Sequence, residues 1–114
     1  MEKTGVIYRL ECLKCSSQGK YESYVGETGR MLKDRLKEHM RIISDIEEFK
    51  KKTNNMSMVE KHSFVEHGST LLEDWKVEII GNQSETQNRK IVEAKFIREF
   101  KPTINEDGGI KIIV

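Results

Sequence analysis

Apolar and polar positions divide the 114-residue chain into strand-like and helix-like stretches. Residues 5–12, GVIYRLEC, form a compact run of β-branched and aromatic residues opened by glycine, which predicts a strand. The connection 13–20, rich in Lys, Cys, Ser, Gln and Gly, reads as a loop. Residues 21–26, YESYVG, resume strand character and end in Gly26, so 5–26 predicts a hairpin with an elaborated connection. Thr28 reads as the N-cap of a helix along which Leu32, Leu36, Met40, Ile43, Ile46 and Phe49 recur at spacings of three and four. That stripe fits one long helix or one broken near Ser44. Residues 53–57 are turn-like, and Ser57 is placed to cap a second helix that runs to about His67 and stops at Gly68. Trp75, Val77 and Ile79 alternate with Lys76, Glu78 and Ile80, the pattern of a half-buried strand. A third helix is predicted from near Thr86 to Phe100, with Ile91, Val92, Phe96, Ile97 and Phe100 inward and Pro102 beyond its end. The tail 110–114, IKIIV, fits a last strand. The expectation is one α/β domain over 1–114: a small, mostly antiparallel three-stranded sheet, made of the hairpin 5–26 and strand 75–80, flanked by helices.

Composition narrows the class. Apolar residues are 36% of the chain and charged ones 34%, enough for one modest core. No apolar run reaches the ~18 residues of a membrane span, and the N-terminus lacks a signal-peptide apolar segment. An intracellular protein, nuclear or cytoplasmic and without a membrane partner, is expected. The formal net charge of +1 excludes an argument for nucleic-acid binding from bulk basicity. Locally, Lys33, Lys37 and Arg41 recur every four residues and Lys50, Lys51 and Lys52 follow. This fits a solvated helix face as well as a phosphate-contacting stripe.

Two groups of residues carry candidate chemistry. Cys12-Leu13-Lys14-Cys15 is a C-x2-C knuckle, and His62 and His67 form H-x4-H, the ligand types and local spacings of a Cys2His2 zinc site. The long gap between the halves fits a zinc that ties the hairpin connection to a distant helix. Inert loop cysteines and exposed histidines are the plainer reading. His67 can share an ion with His62 only if it stands at the helix end, where Gly68 follows. In the second group, Arg35 and His39 lie four apart on one helix face. Glu93 lies four and seven residues from Ile97 and Phe100. A carboxylate on that apolar stripe is costly unless it ligates a metal or pairs, for example with Arg89 or Lys90.

Val6-Ile7-Tyr8, Tyr24-Val25-Gly26, the helix with Arg35 and His39, Glu93 within IVEAKFIREFKP, and Asn105 after Pro102 together resemble the GIY-YIG nuclease superfamily over nearly the whole chain. Each triplet departs at one aliphatic position, and the tyrosines and the second glycine are kept. The resemblance implies a DNA endonuclease that hydrolyses phosphodiesters to leave 3′-hydroxyl and 5′-phosphate ends. It implies Tyr8 as general base, Tyr24 and His39 in support, and Arg35 on the scissile phosphate. Glu93 would be the ligand of one Mg²⁺ or Mn²⁺, and Asn105 the late asparagine of the family. As a residue on its own, Asn105 fits a turn-shaping role as well. Since an ordinary tyrosine has a pKa of about 10, roughly one in a thousand is ionised at neutral pH. Arg35 or a metal is expected to lower that value or share the proton.

The Cys pair between the triplets, the downstream histidines, YVGETGRMLKDRLKEH and the Trp75 strand resemble more narrowly the endonuclease domain of Penelope-like retroelements. There the nuclease is appended to a reverse transcriptase and nicks the integration target. This implies DNA as partner, with a fused or associated reverse transcriptase or targeting domain. Two other readings are a zinc-stabilised nucleic-acid-binding module without cleavage and a GIY-YIG repair or junction-resolving nuclease.

Overall fold

The computed structural model describes residues 3–40, 57–68 and 72–106. In chain order the elements are β1 (Val6–Cys12), α1 (Leu13–Ser17), β2 (Ser23–Thr28), α2 (Leu32–His39) and α3 (Met58–His67). A 3-10 turn at Leu72–Asp74, β3 (Trp75–Asn82), α4 (Thr86–Phe100) and α5 (Thr103–Glu106) follow. The three strands form one antiparallel sheet in the order β2-β1-β3, flanked by helices, as the sequence predicts. Tyr8 lies opposite Gly26 and Leu10 opposite Tyr24 across the hairpin.

The middle strand is covered on both sides. Successive side chains point to opposite faces. Val6, Tyr8, Leu10 and Cys12 therefore join Leu32 and Leu36 of α2, Val59 of α3, Trp75 and Ile104 in one core. On the other face Ile7, also fully buried, meets α4. A Cβ on Gly81 would stand 3.2 Å from both Ile7 Cδ1 and Phe96 Cε2, so the helix closes tightly over a glycine. Beside it the Arg9 guanidinium lies 5.5 Å from the Phe100 ring centre.

Several local expectations change. The connection read as a loop contains the five-residue α1, whose N-cap is Cys12. Thr28 is not a helix cap. It is the buried last residue of β2, where a β-branched side chain is at home, and its Oγ1 accepts the Arg30 N–H at 3.1 Å. Met31 takes the N-cap position of α2 without a side-chain hydrogen bond, and the Leu32 N–H donates to the Lys3 carbonyl at 2.8 Å instead. The alternation of β3 is broken by a bulge: Tyr8 pairs with Ile79 but Ile7 with Gly81, so Ile80 is the extra residue. The inward stripe of α4 holds only in part. Val92, Phe96 and Ile97 are half-buried, but Ile91 is 67% and Phe100 45% exposed. Three strands are too narrow to cover a 15-residue helix, and its one buried side chain is the charged Arg89. The predicted continuation through Ile43, Ile46 and Phe49, the break at Ser44, the cations Arg41 and Lys50 to Lys52, most of the turn 53–57 and the tail 110–114 lie outside the described residues. Among the described residues no helix is long and apolar enough to cross a membrane.

Candidate active site and metal centre

Tyr8, Tyr24, Arg35 and His39 converge on the α2 side of the sheet. The Tyr8 and Tyr24 ring centres are 6.3 Å apart, and the His39 ring lies 5.9 Å from Tyr8 and 5.2 Å from Tyr24. Gly26 makes this possible, because a Cβ there would stand 2.6 Å from Tyr8 Oη and 2.7 Å from Tyr24 Cε2. His39, the last residue of α2, is fully buried. Its Nε2 is 2.8 Å from Tyr8 Oη and its Nδ1 is 2.9 Å from Ser57 Oγ. Ser57 in turn opens α3 with a capping box: its Oγ accepts the Glu60 N–H at 3.1 Å, and Glu60 Oε1 accepts the Ser57 N–H at 3.0 Å.

Burial dominates the electrostatics of this cluster. It pushes the Tyr8 phenol well above its ordinary value, and Tyr24 adds to the rise. Arg35 pulls down through charge and hydrogen bonding without prevailing. Tyr24 is raised for the same reason, again against Arg35. Arg35 acts on Tyr8 in the expected direction, but desolvation outweighs the guanidinium on its own. Burial first, and then Arg35, drive His39 down to about 3. A neutral imidazole therefore touches the phenol at physiological pH.

Arg35 Nη1 donates to Glu38 Oε1 at 2.9 Å, and Glu38 also accepts two hydrogen bonds from Arg30 Nη2 at 2.8 and 2.7 Å. Glu93 is half-buried on α4. Burial raises its carboxyl, with Glu27 adding to the effect, and its charge acts on both tyrosines. The alternative partners on its own helix, Arg89 and Lys90, go to Glu27, which binds Arg89 Nε and, at 3.0 Å, Lys90 Nζ. Among the described residues Glu93 makes no ion pair. Asn105 stands elsewhere: its Oδ1 accepts the Val25 N–H at 2.7 Å and its Nδ2 donates to the Val25 carbonyl at 2.9 Å. Its amide clamps the outer edge of β2 behind Tyr24-Val25-Gly26 and does not enter the cluster. Ser57 is the member of the site that the sequence reading cast only as a helix cap. The S-x-x-E spacing gives the capping box away, but nothing local links it to His39.

Cys12, Cys15, His62 and His67 form the second centre, with one ligand atom of each lying within 4.8 Å of all the others. Cys12 Sγ is 3.3 Å from His67 Nε2, and Cys15 Sγ is 3.4 Å from both His62 Nε2 and His67 Nε2. Tetrahedral zinc, with bonds of about 2.3 Å to sulfur and 2.0–2.1 Å to nitrogen, would hold such atoms about 3.5 Å apart. The donor set and its spacing fit. β1 ends on Cys12 and α1 carries Cys15. α3 bears His62 and ends on His67, where Gly68 turns the chain with a φ of +71°. Burial and then the neighbouring Cys12 push the Cys15 thiol up to about 12, so a strong Lewis acid is needed to hold it as thiolate. Compared with protein-family models, curated proteins and solved structures, the chain matches none of them.

Proposed function

We propose that the protein is a divalent-metal-dependent DNA endonuclease of the GIY-YIG kind. In this reading it nicks DNA to 3′-hydroxyl and 5′-phosphate ends and is stabilised by zinc on Cys12, Cys15, His62 and His67. The observation that carries this is the convergence of Tyr8, Tyr24, Arg35 and His39 beside a carboxylate, Glu93, that no ion pair among the described residues neutralises.

Phosphodiester hydrolysis needs an activated water, neutralisation of a crowded phosphate and stabilisation of the leaving oxygen. To act as general base Tyr8 gives up its own proton to solvent, and the phenolate Oη, held in place by neutral His39 at 2.8 Å, then takes one from water. Arg35 is anchored to Glu38 through Nη1 and hydrogen-bonds the two tyrosines, and the N–H groups left over are donors for phosphate oxygens. Tyr24 adds a hydroxyl to the same surface. Glu93 is the hard oxygen donor that would hold one Mg²⁺ or Mn²⁺ with water and substrate oxygens, and that ion would supply positive charge to the phosphate and the leaving group. With a net charge of +1, tight DNA binding calls for a fused or associated targeting domain, such as a reverse transcriptase of the retroelement type.

A second reading, a zinc-stabilised nucleic-acid-binding module without cleavage, is favoured by one observation: burial keeps Tyr8 overwhelmingly protonated. Plasmid nicking with Mg²⁺ or Mn²⁺ decides between them. Conversion of supercoiled to nicked circles by wild type but not by Arg35→Ala supports the nuclease. Equal rates for the two proteins, or no conversion with either metal, refute it.

A further inference from the structure

We propose that Arg30 binds a second DNA phosphate, the backbone neighbour of the one placed on Arg35. The turn between β2 and α2 seats it for this. The Arg30 N–H donates to Thr28 Oγ1 at 3.1 Å, and Gly29 packs so closely on Arg89 that a Cβ there would stand 2.9 Å from Arg89 Nη2. From this seat Arg30 Nη2 donates to both oxygens of Glu38, at 2.8 and 2.7 Å, and Arg35 Nη1 donates to the same Oε1 at 2.9 Å. One carboxylate oxygen thus joins the two guanidiniums. Their nitrogens stand no farther apart than two hydrogen bonds laid end to end.

Charge and hydrogen bonding both point to a ligand beyond Glu38. One carboxylate faces two permanent cations, and no other carboxylate among the described residues pairs with either of them. Arg30 also spends Nη2 alone, and its Nε and Nη1 have no partner among the described residues. Its side chain is 58% exposed, against 27% for Arg35. A guanidinium with donors to spare suits a phosphate. Phosphates of one DNA strand follow every ~3.4 Å of helix axis, so a strand resting on Arg35 carries its next phosphate past Arg30. Glu38 is the spacer between the two. The placing of the scissile phosphate on Arg35 rests on the nuclease reading, whereas the grip of Arg30 on the backbone requires no cleavage.

The test is the binding of a fluorescent DNA duplex to the full chain, read by anisotropy across a salt titration. Each phosphate contact contributes about 0.9 to the slope of log Kd against log salt, so Arg30→Gln should lower that slope by about one. By the same relation the variant binds about eightfold more weakly at ~0.1 M salt. Arg30→Lys keeps the charge and should restore the slope. An arginine that served only to hold Glu38 would have no task left in Glu38→Gln protein, yet there too Arg30→Gln should lower the slope. These variants should melt close to wild type, because exposed ion pairs add little stability, and the loss in nicking should fall on KM. An unchanged slope in Arg30→Gln, a loss that lysine does not restore, or a loss that vanishes in the Glu38→Gln background overturns the assignment. Wild-type protein that fails to bind the duplex overturns it too. Protein that binds DNA through Arg30 and nicks nothing supports the assignment and refutes the nuclease reading instead.

Discussion

Replacing Gly26 by alanine tests the geometry of the tyrosine cluster most directly. The added methyl would sit 2.6 Å from Tyr8 Oη and 2.7 Å from both Tyr8 Cζ and Tyr24 Cε2, where ordinary contact begins near 3.4 Å. The crowded atoms belong to two rings, and Tyr8 is fully buried with its hydroxyl held by His39, so no flexible chain end can swing aside. Overpacking of this kind costs about 1–3 kcal/mol, which lowers the melting temperature by roughly 4 °C or more for each kcal/mol in a domain of about this size. Relief requires Tyr8 Oη to retreat by about 0.8 Å, and a displacement of about 1 Å in a reacting group can lower a rate by about a hundredfold. Thermal unfolding and plasmid nicking measure the two effects separately. A Gly26→Ala protein that melts within a degree of wild type and nicks at the same rate would refute the close approach of the two rings to Gly26.

Other outcomes follow from the same structure. Arg35→Ala and Glu93→Ala should each reduce nicking by about a hundredfold or more while the melting temperature stays within a few degrees, and plasmid assays beside thermal scans check both. Purified protein should carry one zinc. Zinc at a hundredfold excess over its Kd contributes about 2.7 kcal/mol, so chelation or Cys15→Ala should lower the melting temperature by about 10 °C. His39 supplies an acid dependence: folding holds it neutral, so the unfolded chain takes up the proton first as pH falls below about 6.5. Its contribution is complete above that pH and drains away down to about 3. Urea unfolding should therefore show about 2 kcal/mol less stability at pH 5 than at pH 7 from this residue. His39→Gln should flatten that part of the slope.

Strands, helices and the Cys/His ligand set were legible because each rests on local pattern. β1 carries the apolar alternation Val6, Tyr8, Leu10 and Cys12, and Gly68 stops a helix that puts His67 at its tip. What escaped is set by tertiary contact. The bulge at Ile80 answers to pairing with β1, and no residue within β3 announces it. Glu27 captures Arg89 and Lys90 from 62 and 63 residues away, which leaves Glu93 free of the partners its own helix offers. Asn105 engages Val25 across 80 residues. Burial outweighs the pull of Arg35 on Tyr8, a balance that depends on how many atoms surround the ring and not on which charges lie near it in sequence.

The helix α3 holds something at each end: Ser57, just before its first turn, touches His39, and His67, its last residue, touches Cys12 and Cys15. About ten residues at 1.5 Å each set the span, and each residue adds about 100° of rotation. Lengthening or shortening α3 by a single residue would turn one anchor a quarter-circle or more away from the other. Insertions and deletions should thus be excluded between positions 57 and 67, however freely side chains on the exposed face, such as Val65 and Glu66, are exchanged. The interval from serine to second histidine is a ruler whose length geometry fixes even where its letters are free to change.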